Sequence, residues 1–288
     1  MYSQPFEYYR AGAVREAVAL MQQHPGAKLL AGGHSLIPLL KLRLTAPPAL
    51  IDISRIPELK GINSKNGTIR VGALTTHSEV ASSDVVKSEC PMLCDAAGRI
   101  GDAQVRNCGT IGGNVVHADP ASDLPTVLLA LDARFVVTGP KGDRTISAAD
   151  FFQGMMSTAL AADEILTAIE IPSKQAAQGM AYIKFIHPAS RYAVIGAAAV
   201  VTMKDRSCGG AQVAIGGLVP APVRLREVER SLTGSQPSAD AISNAANLAG
   251  RNLTGDILGD IFASADYRKA VAPVFVRRAL TAAFERAS

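Results

Sequence analysis

Ala31-Gly32-Gly33-His34-Ser35-Leu36, and further along Thr110-Ile111-Gly112-Gly113-Asn114 followed by Asp119-Pro120-Ala121-Ser122-Asp123-Leu124-Pro125, are the two most informative stretches of this chain. Paired glycines beside small polar residues leave backbone N–H groups uncovered, so an anionic diphosphate can approach the main chain closely. One such turn is a weak signal. Two, about 80 residues apart and each flanked by apolar, strand-like segments, point to a single dinucleotide held between two walls.

The neighbouring sequence sets the context of each turn. Ala13 to Gln23 carries apolar residues at helical spacing, Ala27 to Ala31 reads as a short strand ending at the first glycine pair, Ser35 to Leu42 as a brief helix and Ala49 to Ile53 as a strand. These form a small βαβ-type unit with its glycine turn at a strand-to-helix junction, where free amides favour phosphate. The spacing does not fit GxGxxG, and no acidic residue closes a second strand at the distance a Rossmann ribose contact needs, which disfavours that fold. Thr68 to Leu74 and Arg134 to Thr138 are predicted strands, as is Glu164 to Ile171, closed by Pro172. Thr76 to Ser82, Pro91 to Arg99 and Asp123 to Leu131 are predicted helices.

Ser173 to Gly179 is the best linker candidate. Beyond it, Met180 to Phe185, Tyr192 to Met203 and Ala211 to Gly216 read as antiparallel strands, and Val223 to Leu232, Ser238 to Leu248 and Ser264 to Arg286 as helices. The fold class is therefore α+β, with about two domains.

Composition narrows the function. The 288 residues are 48% hydrophobic and 19% charged, without Trp and with 5% aromatics, so stacking platforms for nucleic acid are scarce. A net charge of +4 without a Lys/Arg run offers little to a polyanion. The N-terminus lacks a secretory pattern and no apolar run is long enough for a transmembrane segment, so the expected location is cytoplasmic. Cys90, Cys94, Cys108 and Cys208, with His117 and His187, have no recognisable metal spacing, and no metal site is expected.

AGGHSLIP, RNCGTIGGNVVHADPASDLP and KF…SRYAVIGAAA together resemble the FAD-binding medium subunit of the molybdenum hydroxylases, of the aerobic carbon monoxide dehydrogenase and xanthine dehydrogenase type. The similarity spans essentially the whole chain. It implies a two-lobed FAD-binding domain of the vanillyl-alcohol-oxidase (PCMH) type over residues 1–175, with lobes of about 1–55 and 56–175, followed by a C-terminal α/β domain, an antiparallel sheet with helices, over 176–288. It further implies non-covalent FAD extended between the lobes. Molybdopterin would sit on a large partner subunit and [2Fe-2S] clusters on a small one, in a dimer of heterotrimers that delivers electrons to an external acceptor.

The same resemblance assigns site residues. Leu29, Leu30, Ala31, Gly32, Gly33, His34, Ser35 and Leu36 would form the first pyrophosphate-binding turn, and Thr110, Ile111, Gly112, Gly113 and Asn114 the second. Asp123 would contact the adenosine part of FAD, Leu166 would meet the cofactor through its backbone, and Lys184 would place a cation near the flavin ring. Tyr192 would cover one ring face, and Ile100 stands where xanthine dehydrogenases carry an aromatic residue. No residue is assigned a catalytic role, because no Ser/His/Asp or Cys/His array can be argued.

Plainer alternatives stand beside these assignments. His34 positions the cradle, idles as a polar tip or attaches flavin covalently. Asp119 and Asp123 cap the helix after Pro120, and Lys184 is a solvated strand residue. For the chain as a whole, the rivals are a stand-alone flavin reductase of the UDP-N-acetylmuramate-forming kind and a scaffold that has lost FAD. HADPASDLP differs from the GDPGND-type stretch of carbon monoxide oxidisers, which leans the substrate toward an organic compound.

Overall fold

A computed structural model describes residues 2–251, 253 and 257–287. The first lobe comprises β1 (Glu7–Arg10), α1 (Val14–Gln23), β2 (Lys28–Leu30), α2 (Leu36–Lys41) and β3 (Ala49–Asp52), with the strands in parallel order β1-β3-β2. Val14, Ala17 and Val18 recur at helical spacing on α1 and are buried against β3, itself buried along its whole length. The βαβ unit is thus present, and β1 adds an outer strand beyond it. This core also takes in Leu74 and Ile165 from the next lobe, so the two lobes share a packed interior.

The second lobe is built on an antiparallel sheet of β4 (Ile62–Lys65), β5 (Thr68–Gly72), β6 (Arg134–Gly139), β7 (Gly142–Ser147) and β10 (Ile165–Pro172), in the order β4-β5-β10-β6-β7. The connection from β5 to β6 holds the helices α3 (His77–Ser82), α4 (Asp84–Glu89), α5 (Pro91–Gly98), α6 (Ala103–Cys108), α7 (Ile111–His117) and α8 (Asp123–Ala130). Thr76 caps α3 in a reciprocal box with Glu79. A short helix α9 (Ala148–Phe151) and the small hairpin β8 (Phe152–Gly154) and β9 (Ser157–Thr158) complete the lobe.

All eight residues of α8 are buried. The cause is the third unit, an antiparallel sheet of β11 (Gln178–Ile186), β12 (Ala193–Lys204), β13 (Ser207–Gly216) and β14 (Val223–Arg224). Met180 and Tyr182 of β11, Ala198 and Val200 of β12 and Ala214 of β13 join the core that contains α5 and α8. The alternate residues Ala181, Ile195, Ala197, Ala199 and Val213 join a separate core with α10 (Arg226–Leu232), α11 (Ala239–Ala246) and α12 (Ala265–Glu285). A sheet covered on both faces explains the uninterrupted apolar run of β12.

Two local expectations need correction. Val223 and Arg224 are not helical: they pair with Ile215 and Ala214 as an edge strand, and the helix begins only at Arg226. The guanidinium of Arg224 binds Glu229 at 2.6 Å and Asp132 at 2.5 Å, which fixes this residue at the sheet edge. The second glycine motif is not a turn either. Thr110 is the N-cap of α7, and Gly112 and Gly113 lie inside that helix.

Candidate cofactor cleft

Between the lobes runs a cleft of about 830 Å³, within the usual range for a cofactor-sized ligand. The two glycine motifs form its middle and touch one another. A Cβ placed on Gly32 would lie 2.0 Å from the carbonyl oxygen of Cys108 and 3.0 Å from the α-carbon of Gly109, so only glycine permits this approach. Gly33 has φ +72°, a left-handed conformation that glycine adopts freely.

The two motifs offer different chemistry. The amides of Gly32, Gly33, His34 and Ser35 have no hydrogen-bond partner among the described residues, so the first loop presents a run of unspent donors. In the second motif the amides are committed: Ile111 donates to Thr75 O at 2.9 Å, Gly112 to Ala73 O at 2.9 Å, Gly113 to the Thr110 hydroxyl at 3.1 Å and Asn114 to Thr110 O at 3.0 Å. The expectation that both motifs grip a ligand through main-chain amides is therefore corrected. Gly112 is small because its Cβ would sit 2.6 Å from that of Ala73, a packing demand. What the second motif turns toward the cleft is side-chain chemistry. The Thr110 hydroxyl, acceptor from Gly113, still has its proton to donate, and Asn114, whose Oδ1 accepts from Ser122 at 2.8 Å, keeps its NH2.

Most of the other predicted residues also line this cleft, including Leu29, Ala31, Leu36, Ile100, Leu166, Asp123 and Tyr192. Three do not. Leu30 packs beneath Gly33, Ile111 is wholly buried in the core, and Lys184 lies behind the wall. His34 turns its Nδ1 onto Gly32 O at 3.1 Å, which suits a residue that braces the first loop.

Lys184 is not a solvated strand residue. On β11 it follows Met180 and Tyr182 at a period of two and so faces α8. Its ammonium donates to Asp123 Oδ2 at 2.9 Å, to Arg99 O at 3.1 Å and to Arg191 O at 2.9 Å, which uses all three protons. The other oxygen of Asp123 accepts from the Tyr182 hydroxyl at 2.6 Å. Burial pushes the Asp123 carboxyl up from its ordinary value, with Lys184 and then Tyr182 opposing. Assigning Asp123 to the adenosine and Lys184 to the flavin ring put them at opposite ends of an extended cofactor. Their 2.9 Å ion pair corrects that: they belong to one end.

One residue the sequence reading missed is His77. Its ring lines the cleft beneath the junction of the two motifs, its amide donates to Gly109 O at 3.0 Å, and its Nδ1 is buried without a partner among the described residues. Burial, with His34 and then Arg106 nearby, lowers its pKa to about 4, so it is neutral at physiological pH. The signal was Thr-His-Ser-Glu, a capping box that fixes the first residue of a helix, yet nothing local says which cleft that residue meets. Unspent amides, an orphaned imidazole nitrogen and a cleft of matching size fit a bound dinucleotide.

Comparison with known proteins supplies the family. Residues 4–174 match the FAD binding domain in molybdopterin dehydrogenase, and residues 180–283 the CO dehydrogenase flavoprotein C-terminal domain. The carbon monoxide dehydrogenase medium chain of Hydrogenophaga pseudoflava is 39% identical over 284 residues, 98% of each chain. The glyceraldehyde dehydrogenase medium chain of Sulfolobus acidocaldarius is 36% identical over 279 residues, 97% of this chain and 98% of that one. Among solved structures, carbon monoxide dehydrogenase from Hydrogenophaga pseudoflava superposes with a TM-score of 0.96, covering all of both chains. The chain therefore belongs to the FAD-binding medium subunits of the carbon monoxide dehydrogenase type, oxidoreductase subunits of the molybdenum hydroxylases.

Proposed function

We propose that this chain is the electron outlet of a heteromeric molybdenum hydroxylase. Substrate hydroxylation takes place on a molybdopterin-binding large subunit, a small subunit with [2Fe-2S] clusters relays the electrons, and this chain passes them to an external acceptor. Two such heterotrimers associate, and the assembly works in the cytoplasm. Among the described residues, no helix is long and apolar enough to cross a membrane. Relatives named for carbon monoxide and for glyceraldehyde are similarly close to this chain, which supports substrate choice residing outside it.

Bound FAD supplies a carrier that exchanges electrons singly or in pairs. The chain's own residues bind and orient it. Free amides from Gly32 to Ser35 hold the diphosphate, with Thr110 and Asn114 donating from beside them. Ile100 and Leu166 flank the cofactor, while Asp123, through its pairing with Lys184, and Tyr192 define one end of the cleft. No side chain of this chain is assigned as an acid or base. We divide the work near residue 175: the first two lobes hold the cofactor, and the third unit braces α8 and carries the loop with Tyr192.

The observation that carries this is the abutment of Gly32 on Cys108, which brings the free amides of one loop beside the side-chain donors of the other. Co-expression with the large and small subunits of a molybdenum hydroxylase of this type tests the proposal. The purified complex should contain one FAD per copy of this chain, released by denaturation. A complex that assembles colourless and takes up no added FAD overturns it.

A further inference from the structure

The segment between β11 and β12 carries Tyr192, 41% exposed, to the wall of the cleft. It is a tight loop whose own bonds set its shape. His187 N–H donates to Tyr192 O at 2.8 Å and Arg191 N–H to His187 O at 2.9 Å, while the ring Nδ1 of His187 accepts from Ala189 and Ser190 at 3.3 and 3.2 Å. Arg191 has φ +62°, left-handed for a residue with a side chain. Its carbonyl accepts from the Lys184 ammonium at 2.9 Å.

The carbonyl of Arg191 belongs to the peptide that joins it to Tyr192. The same ammonium is held by Asp123 at the start of α8 and by the carbonyl of Arg99, beside the cleft-lining Ile100. One buried cation thus ties the Tyr192 loop to two cleft-wall elements at once.

We propose that Lys184 is a positioning residue: by gripping the carbonyl of Arg191 from its buried pairing with Asp123, it holds Tyr192 at the wall of the cleft. This rests on the cleft being the FAD site. Lys184 need not touch the cofactor, because all three of its protons are spent on the chain itself.

Lys184→Met alone strands a buried carboxylate and risks unfolding, so the informative variant is Asp123→Asn/Lys184→Met, which removes both charges together with the grip on Arg191. Two measurements apply. The first is trypsin digestion of the full chain. Cleavage after Arg191 should be slow in the parent and at least tenfold faster in the double variant, with other sites unchanged; a global loss of structure would accelerate all sites. The second is the flavin emission lifetime in the co-expressed complex, since tyrosine near a flavin quenches it. The double variant should lengthen the lifetime as Tyr192→Leu does, and combining the two changes should add nothing. Unchanged cleavage at Arg191, cleavage accelerated at every site alike, or a parent-like lifetime in a complex that retains FAD overturns the proposal and leaves the FAD site standing. A parent complex that binds no FAD overturns both.

Discussion

The α-carbon of Gly32 rests against the main chain at Cys108, and no side chain fits between them: a Cβ would stand 2.0 Å from the Cys108 carbonyl oxygen. The obstructing atom is backbone and cannot swing aside. Gly32→Ala must therefore push the first loop off α6, separating the free amides from Thr110 and Asn114. Overpacking of this kind costs about 1–3 kcal/mol. The expected outcome is a lowered melting temperature and at least a tenfold loss of FAD from the purified complex. Stoichiometric flavin in this variant would contradict the abutment.

Gly33→Ala should be milder, because its obstacle is different in kind. The Cβ would meet Ile37 Cγ1 at 3.0 Å, the side chain of a residue that can shift, and the remaining cost is the φ of +72°, worth about 1–2 kcal/mol. FAD binding should weaken by a factor of ten or less, with the fold retained. Flavin titration of the two variants side by side checks the order, and a Gly33 variant weaker than the Gly32 variant would reverse the argument.

Much of this was legible in the sequence because it is local. The strand-turn-helix from Lys28 to Lys41 follows from an apolar run, a glycine pair and a helix-forming segment, and the structure places it there. The apolar run from Ala193 to Val201 in β12 was equally plain. What the sequence hid is what other segments impose. Gly112 and Gly113 look like a second cradle, yet one is small to clear Ala73 and both lie within a helix whose amides are spent. Lys184 looks solvated on its strand, and only the packing of α8 against that face of the sheet buries it. Val223 and Arg224 fit a helical period, but edge pairing with β13 wins because Arg224 is anchored by two carboxylates.

His77 makes stability depend on pH in the acid range. Its pKa in the fold is about 4 against an ordinary 6.5, so folding favours the neutral ring. The stabilisation is complete above pH 6.5 and is lost as pH falls toward 4, about 1.4 kcal/mol per unit and about 3 kcal/mol in all. His77→Phe removes the titration and should flatten this part of the stability curve, as read by urea melts at pH 7, 5.5 and 4.5. A variant with the parent's full acid slope would assign that slope elsewhere.

Gly196 of β12 lies under the Tyr182 ring, where a Cβ would come within 2.3 Å of the hydroxyl oxygen and 3.0 Å of two ring carbons. Tyr182 is fully buried among α5 and α8 and has nowhere to retreat. Gly196→Ala should therefore drive its hydroxyl off Asp123 Oδ1, leaving the carboxylate with Lys184 as its remaining partner. Loss of a hydrogen bond to a buried charged group costs about 1.5–3 kcal/mol, so the melting temperature should drop. Tyr182→Phe removes the same bond without the steric load. If the bond matters to the cleft, both variants should weaken FAD binding in the co-expressed complex, the alanine variant more. If Tyr182→Phe binds FAD as the parent does while Gly196→Ala fails, the cleft depends on the position of the ring rather than on its hydroxyl.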